Sequence, residues 1–272
     1  MIGVFDSGVG GLSVLRAIRA ELPEEPALYL ADQAHVPYGP RPREEVRGFA
    51  TAIARRLISR GARMVVVACN TASAAALAHL RESFPGTPFV GMEPAVKPAA
   101  EQTRSGVVGV LATPATFQSE LYASVVGRFA AGATVLQNTC PGLVARIEAG
   151  DLDGPETRRI LEDALRPMRE KGADVVVLGC THYPFVLPLL REIAGPGVRV
   201  IDPAPAVARE AARRLAALAP TTVAPRGRNS VDPCGPVVCE TTGDPDRLRS
   251  LLPRLLGEAC PVRGIPWEAV SG

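Results

Sequence analysis

The chain contains 272 residues, of which 47% are hydrophobic, and it carries a formal net charge of +2 at pH 7. This composition excludes an intrinsically disordered chain and supplies enough apolar material for one large or two small globular domains. Nothing in the sequence suggests a membrane span, and the 28 Arg and two Lys residues form no clustered basic face with interleaved aromatic residues. We therefore expect neither membrane association nor a dedicated nucleic-acid-binding protein.

The six cysteines are expected to be free thiols. Met1 leads directly into a strand-like run without a basic n-region or a cleavage site, so we expect no secretion and a cytoplasmic location, where thiols stay reduced. No two cysteines form the C-x-x-C pair typical of zinc or dithiol redox centres. Cys234 and Cys239 are the only candidates for a metal site or a disulfide, and we expect no metal. The six are Cys69, Cys140, Cys180, Cys234, Cys239 and Cys260.

The first predicted strand, residues 2–6, runs into a glycine-rich turn at 8–11 and then an amphipathic helix from Leu12 to about Leu22. Such a turn lets backbone N–H groups approach an anion at the helix N-terminus. A tight turn without a ligand is the alternative. Because Asp6 and Ser7 directly precede it, we expect a small polar ligand.

A dinucleotide-binding fingerprint is the competing interpretation of this turn, because Gly8-x-Gly10 is present and Asp32 ends the second strand near the expected spacing. The fingerprint fails at two positions. Ser13 stands where the third Gly or Ala belongs, and Asp6 places a carboxylate where a pyrophosphate would lie.

The second predicted strand, Ala27 to Ala31, leads into the loop 32–40, in which two prolines flank Tyr38-Gly39. The prolines make this loop stiff, which suits the wall or lid of a pocket; a stiff surface turn fits the sequence equally well. A helix at 44–60 follows.

The segment that contains the third predicted strand occurs twice in the sequence, in similar form. Residues 61–69, GARMVVVAC, recur without a gap as residues 172–180, GADVVVLGC. Each copy is a Val-rich run, typical of a strand buried on both faces, and each ends at a cysteine followed by polar residues. Cys69 and Cys180 therefore lie at equivalent strand ends.

Three further segments match between the two halves of the chain. Residues 2–7 align with 108–113, residues 29–32 with 135–138, and residues 93–95 with 202–204. With the cysteine strands third, the offsets are 106, 106, 111 and 109. This steady spacing predicts two copies of one strand–helix plan.

An alanine-rich helix beginning near Thr71 would place its N-terminus beside Cys69. Helix N-termini lower thiol pKa values, so this placement favours a thiolate at Cys69. The alternative is a small buried residue that only fills space.

The second half continues the same alternation. Its first strand ends at Ala112-Thr113, and the last segment before the final strand, 219–236, is predicted to be an exposed loop. The remaining predicted helices and strands are a helix at 115–130, a strand near 133–137, helices at about 143–149 and 155–171, a helix from 203 to about 218, a strand at 237–241 and a helix at 245–257.

His182 lies two residues after Cys180, close enough to polarise a thiol or protonate an amine. The other two histidines, His35 and His79, have no such neighbour and are expected to be structural. Glu148, near the end of a predicted helix, is by itself an ordinary surface acid.

The carboxyl ends of parallel strands meet at one edge of a sheet, so two facing halves would place Cys69 and Cys180 on opposite sides of one cleft. One thiolate could then take a proton from a carbon while the opposing thiol delivers one to the other face, which inverts a stereocentre. Helix N-termini and hydroxyls could hold the carboxylates of the ligand. These hydroxyls belong to Ser7, Thr71, Ser73, Thr113 and Thr181.

Pyridoxal phosphate is the usual means of acidifying such a carbon, and it requires a lysine. The two lysines, Lys97 and Lys171, do not lie at strand ends. We therefore expect no cofactor.

Four motifs resemble the glutamate racemases of the aspartate/glutamate racemase superfamily: residues 6–11 DSGVGG, 37–39 PYG, 69–73 CNTAS and 179–184 GCTHYP. The resemblance implies an α/β fold of two flavodoxin-like, doubly wound domains about a pseudo-twofold axis, with the active site in the cleft between them. It assigns 1–92 plus 205–272 to the first domain and 93–204 to the second. It also implies a cofactor-independent enzyme that interconverts L- and D-glutamate and supplies D-glutamate for peptidoglycan.

The resemblance assigns roles to residues of this chain. Cys69 and Cys180 become the two acid/base residues, with Asp6 assisting Cys69, and Glu148 and His182 assisting Cys180. The implied substrate contacts are Asp6, Ser7, Tyr38, Gly39, Asn70, Thr71, Thr181 and His182, to which the hydroxyl argument adds Ser73 and Thr113. We expect a homodimer.

Two other functions are compatible with the sequence. Aspartate racemases share the two-cysteine plan, but the motifs at 37–39 and 181–183 resemble the glutamate type. Some members of the resembled family bind DNA gyrase, which here would be an additional role. The segment 219–236 and the tail after Gly257 match no family pattern. Because Met1 adjoins the first strand, we do not expect the precursor-activated regulation of longer members.

Overall fold

The computed structural model describes residues 1–218 and 237–272. In these ranges the strands are β1 Ile2–Asp6, β2 Ala27–Ala31, β3 Met64–Val67, β4 Phe89–Gly91, β5 Val107–Ala112, β6 Thr134–Asn138, β7 Val175–Gly179, β8 Arg199–Ile201, β9 Val237–Thr241 and β10 Val262–Gly264. The α-helices are α1 Leu12–Glu21, α2 Arg43–Ser59, α3 Asn70–Ser83, α4 Val96–Gln102, α5 Pro114–Phe117, α6 Glu120–Phe129, α7 Leu143–Glu148, α8 Pro155–Glu170, α9 Leu187–Ala194, α10 Ala204–Ala216, α11 Pro245–Leu255 and α12 Glu268–Ser271, and a 3-10 turn spans Tyr183–Val186.

The strands form two separate sheets, and neighbouring strands run parallel in both. The first has the order β10-β9-β2-β1-β3-β4, and the second has the order β6-β5-β7-β8. Helices connect successive parallel strands, as this geometry requires. The predicted α/β architecture of two domains is therefore confirmed.

Both sheets contain the same four-strand plan. The order β2-β1-β3-β4 in the first sheet is matched by β6-β5-β7-β8 in the second, so the repeated segments of the sequence occupy equivalent places. The two cysteine strands, β3 and β7, each pair with the first strand of their own half. Both are fully buried, which explains their uninterrupted Val-rich sequence.

The end of the chain returns to the first sheet. β9 pairs with β2, and β10, a strand that the sequence did not reveal, pairs with β9. The tail after β10, which carried no sequence signal, packs Trp267 edge-on against the rings of His35 and Phe49. The first sheet is thus built from residues 2–91 and 237–264.

The two halves share apolar core. One buried cluster contains residues of α1 and β1 from the first half together with residues of α7, α8 and β7 from the second. Helix α10, which leads from the second sheet back to the first, packs along α1. This shared core fixes the carboxyl ends of β1 and β7 next to each other.

The predicted helix 115–130 is wrong in one respect, because the structure divides it into α5 and α6. The Ser119 hydroxyl accepts a hydrogen bond from the N–H of Tyr122 (3.1 Å) and so begins a second helix. Side chains of this type compete with the helical backbone bonds and favour caps.

Of Cys234 and Cys239, the two cysteines considered as candidates for a metal site or a disulfide, Cys234 lies outside the described residues. Cys239 is instead buried beside Cys260, with 3.1 Å between the sulfur atoms. Across residues 1–218 and 237–272, no three His, Cys, Asp or Glu side chains are grouped as metal ligands would be. No helix in those ranges is long and apolar enough to cross a bilayer.

Candidate active site

A narrow pocket lies at the carboxyl ends of the central strands, between the two sheets, with about 280 Å³ of empty space that includes its opening to solvent. Apart from Pro37 and Val144, every residue that lines it is one of the predicted site residues. Those residues are Ser7, Tyr38, Gly39, Cys69, Asn70, Thr71, Thr113, Cys180, Thr181 and His182. Val144 belongs to α7, and nothing in the sequence marked it as a residue of the site.

Cys69 ends the strand-like run of β3 and caps α3. Its sulfur accepts a hydrogen bond from the N–H of Ala72 (3.5 Å) and lies 4.0 Å from the hydroxyl oxygen of Ser7. Burial raises the pKa of the Cys69 thiol well above its usual value, and the Asp6 carboxylate raises it further, whereas the Ala72 N–H opposes both. The prediction of a thiolate at Cys69 is therefore wrong, because desolvation outweighs the helix N-terminus.

Asp6 is fully buried and joins the two halves of the site. Its Oδ1 accepts from the N–H of Gly8 (2.8 Å) and the hydroxyl of Ser7 (3.2 Å), and its Oδ2 accepts from the hydroxyl of Thr181 (2.9 Å). Burial raises the pKa of Asp6 despite these bonds and the positive charge of His182. Asp6 does not line the pocket; it reaches Cys69 through Ser7.

Cys180 follows β7 and has an imidazole partner that Cys69 lacks. Nδ1 of His182 lies 3.8 Å from the Cys180 sulfur, and Nε2 of His182 donates to Oε1 of Glu148 (2.7 Å). All three side chains are buried. The sequence therefore predicted His182 correctly as the neighbour of Cys180, and Glu148 lies one step further from the pocket.

His182 and Glu148 form a buried ion pair. Burial acts to lower the pKa of His182, but hydrogen bonds with Cys180 and Glu148 raise it well above its ordinary value. Burial likewise acts to raise the pKa of Glu148, yet the bond and charge of His182 hold it below its ordinary value. A protonated imidazole beside a sulfur atom can donate a proton to it or stabilise its anion.

The glycine-rich turn binds an anion that belongs to the chain itself. Besides His182, Oε1 of Glu148 accepts the backbone N–H of Val9 (2.8 Å). A Cβ at Gly8 would lie 1.9 Å from Oε1 of Glu148, and one at Gly10 would lie 2.4 Å from Nδ1 of His182. Glu148 therefore takes the N–H of Val9, whereas Ser7, directly before the turn, lines the pocket, and the small polar ligand expected there stays a prediction.

Loop 32–40 forms one wall of the pocket, which decides between the two predicted roles of this loop. The Asp32 carboxylate accepts the hydroxyls of Tyr38 (2.6 Å) and Thr242 (2.7 Å) and lies 2.9 Å from Nδ1 of His35. His35 is structural, as predicted, since its ring stacks on Phe49. Asp32 therefore holds the wall in place.

The remaining polar residues of the predicted site have different surroundings. The hydroxyl oxygens of Thr71 and Thr113 lie 2.9 Å apart and join the two halves across the cleft. Asn70 is buried in the pocket wall, and neither its Oδ1 nor its Nδ2 has a hydrogen-bond partner among the residues that the structure describes. An unsatisfied buried amide is costly, so Asn70 is available to a ligand.

Ser73 does not line the pocket. Its hydroxyl donates to the carbonyl of Val67 (3.0 Å) and accepts from the N–H of Met92 (2.8 Å). The predicted substrate contact of Ser73 is therefore replaced by a structural role that ties α3 to β3 and the end of β4.

Comparison with known proteins identifies a family and several relatives of this chain. The family model described as Asp/Glu/Hydantoin racemase matches residues 2–211. A glutamate racemase of Roseiflexus sp. is 55% identical over 256 residues, which are 93% of this chain and 91% of that protein.

Solved structures show the same fold. Glutamate racemase of Escherichia coli, in complex with L-glutamate and the activator UDP-MurNAc-ala, has a TM-score of 0.85 and 33% identity, covering 97% of each chain. Glutamate racemase of Francisella tularensis, in complex with D-glutamate, has a TM-score of 0.79 and 28% identity, covering 98% of each chain.

The fold and these relatives define a class of enzyme that inverts a stereocentre, which is a branch of the isomerases. The family model and the Roseiflexus protein each cover most of the chain. The chain belongs to the Asp/Glu/Hydantoin racemase family, and the predicted enzyme class is confirmed.

Proposed function

We propose that this enzyme interconverts L- and D-glutamate without a cofactor and that Cys69 and Cys180 are its two acid/base groups. The observation that carries the proposal is that both thiols end equivalent strands of separate sheets and line one pocket. Glutamate is favoured over aspartate because relatives spanning nearly the whole chain are glutamate racemases, one solved with L-glutamate and one with D-glutamate.

The two thiols are supported differently, and this asymmetry suits one direction of the reaction. Cys69 carries its proton, because burial and Asp6 raise the pKa of its thiol. Cys180 faces a protonated imidazole, which stabilises a sulfur anion. In this state Cys180 abstracts the Cα proton of L-glutamate, the electron pair remains on the substrate, and Cys69 delivers its own proton to the opposite face.

The products of that step are D-glutamate, a Cys180 thiol and a Cys69 thiolate. D-glutamate reacts by the reverse sequence, in which Cys69 abstracts the proton and Cys180 delivers one. Asp6, through Ser7, and Glu148, through His182, position and tune the two thiols. Each direction therefore leaves the two thiols in the protonation state that the reverse direction requires.

A carbon that bears ammonium and carboxylate groups is a far weaker acid than a thiol, so the site must stabilise the transition state with preorganised donors and exclude water. Asn70 provides an unpaired amide N–H₂ for a carboxylate oxygen and a carbonyl oxygen for the ammonium group. The hydroxyls of Ser7, Thr71, Thr113 and Thr181 lie in the same pocket.

The biological setting follows from the family resemblance. We propose that the D-glutamate supplies peptidoglycan synthesis in the cytoplasm and that the protein acts as a homodimer. We also propose domain boundaries at 1–92 plus 205–272 and 93–204, which are supported by a first sheet from residues 2–91 and 237–264 and a second from 107–201.

The test is incubation of the purified protein with L-glutamate alone, followed by chiral analysis. We expect D-glutamate to accumulate until the two enantiomers are equal, with no effect of dialysis against a chelator. L-aspartate is the matched control and should react far more slowly, because a substrate one methylene shorter leaves polar groups of the site unpaired. Comparable kcat/KM values for both amino acids would contradict the substrate assignment.

Labelling tests the two-base mechanism separately. In D₂O, early D-glutamate should carry deuterium at Cα while recovered L-glutamate stays largely protiated, because the group that abstracts is never the group that delivers. Early product that retains the original proton would show instead that one base serves both faces.

A further inference from the structure

A continuous chain of polar contacts leads from the first sheet to Cys180 through Gln33. The Thr241 hydroxyl, at the end of β9, donates to Oε1 of Gln33 (2.9 Å), and Nε2 of Gln33 donates to Oε2 of Glu148 (3.1 Å). Oε1 of Glu148 then accepts from His182 (2.7 Å), which lies 3.8 Å from the Cys180 sulfur. Gln33 follows Asp32 in the loop but is not part of the predicted site.

The orientation of the Gln33 amide is fixed by its neighbours. The Thr241 hydroxyl oxygen accepts the N–H of Gly243 (3.0 Å), so its own proton is free to be donated to Gln33. Because the ionised Glu148 carboxylate can only accept, the NH₂ group of Gln33 must face it, and the Gln33 oxygen then faces Thr241. A Cβ at Gly243 would lie 2.7 Å from Cβ of Gln33, so the glycine admits this side chain.

Gln33 supplies the second side-chain anchor of Glu148. Oε1 of Glu148 is shared by Val9 and His182, whereas Oε2 accepts from Gln33. The hydrogen bond from Gln33 also contributes to the lowered pKa of Glu148. A carboxylate held at both oxygens has one orientation, and its oxygen then fixes the plane and tautomer of the imidazole it binds.

We propose that Gln33 is a positioning residue that acts on Cys180 through Glu148 and His182. Glu148 and His182 belong to the second half of the chain, whereas Gln33, Thr241 and Val9 belong to the first. The acid–base behaviour of Cys180 is therefore set across the cleft, by contacts that exist only when the two halves are closed on each other. This inference rests on the proposed role of Cys180 in racemisation.

The test uses Gln33→Met, which keeps the length of the side chain and removes its amide. Gln137→Met is the matched control, because Nε2 of Gln137 also donates one hydrogen bond at 3.1 Å, to Tyr122, away from the pocket. We expect kcat/KM to fall about tenfold in Gln33→Met, the effect of losing one hydrogen bond to a charged group, and to stay within twofold in Gln137→Met. Because L- and D-glutamate are equal in free energy, this fall must be the same in both directions.

Isotope effects identify which thiol is affected. With L-glutamate deuterated at Cα, Cys180 breaks the C–D bond, so slowing its step raises the isotope effect on kcat/KM. With D-glutamate deuterated at Cα, Cys69 breaks that bond, so slowing the Cys180 step lowers the isotope effect. We expect these opposite changes in Gln33→Met and the reverse pattern in Asp6→Asn, which perturbs the Cys69 side. Equal changes for both substrates would overturn the assignment of Gln33 to Cys180.

A binding-independent measurement separates this inference from the proposed function. The chain has three histidines, so the His182 imidazole can be assigned by NMR with the His182→Asn protein as reference. Its nitrogen resonances should move in Gln33→Met and stay fixed in Gln137→Met, whether or not glutamate is the substrate. Unchanged His182 resonances in Gln33→Met would overturn the inference, whereas failure of the parent enzyme to racemise glutamate would overturn the proposed function alone.

Discussion

Replacing Gly8 by Ala should damage the Cys180 side of the site without unfolding the protein. The added Cβ would lie 1.9 Å from Oε1, 2.7 Å from Cδ and 3.1 Å from Oε2 of Glu148, so the whole carboxylate must move. Both hydrogen bonds to Oε1, from Val9 (2.8 Å) and His182 (2.7 Å), are then lost. A hydrogen bond to a charged group contributes about 1.5–3 kcal/mol.

The two lost bonds are expected to appear in different measurements. The Val9 bond joins the two halves, so its loss should lower the free energy of unfolding by about 1.5–3 kcal/mol in urea titrations. The His182 bond positions the imidazole beside Cys180, so its loss should lower kcat/KM about 10- to 100-fold. Gly48→Ala is the control, because its Cβ meets nothing within 4 Å and lies within α2. A Gly8→Ala protein with parental kcat/KM would refute the reasoning.

Three further predictions concern the pocket. Cys69→Ala and Cys180→Ala should each lower kcat/KM by several powers of ten, where each tenfold corresponds to about 1.4 kcal/mol of barrier. The rates are measured by chiral chromatography, and a near-parental rate in either variant would contradict the mechanism with two paired thiols. Glu148→Gln should lower the pKa of His182, measured by NMR titration. The stability that protonation of His182 contributes is complete below pH 6.5 and is lost as pH rises through the raised pKa, so the difference in unfolding free energy between the parental and His182→Asn proteins should become smaller as pH rises. Asn70→Ala removes an unpaired amide, so it should leave the melting temperature unchanged or raise it. The same substitution should raise KM for glutamate about tenfold or more. An unchanged KM would show that Asn70 does not bind the substrate.

Elements with a strong local pattern were predictable from the sequence. The observed bounds of β1, β2 and β9 agree with the predictions, because each is a short apolar run that ends at polar or turn-forming residues. The repeat of 61–69 at 172–180 also predicted which strands occupy equivalent places in the two sheets. Sequence patterns of this kind report burial directly.

Features that depend on distant residues were not predictable. The anion of the glycine-rich turn is Glu148, which lies 139 residues away from Val9 in the chain. The raised pKa of the Cys69 thiol reflects how deeply the fold buries it, and the helix N-terminus that favours a thiolate is visible locally whereas that burial is not. The hydroxyl of Ser73 looked available until β3 and the end of β4 were brought together around it.

During synthesis, β9 is made after all the residues that line the pocket. Until residues 237–241 emerge, β2 is an edge strand with unpaired backbone groups, and such an edge is a template for pairing with other chains. The strands of the second sheet lie between residues 107 and 201, so that sheet can form while the first is still open. A nascent chain can therefore carry both cysteines and still expose a sheet edge beside loop 32–40. The β2 edge is paired only when residues 237–241 return to it, so any association of the nascent chain through β2 must precede that return.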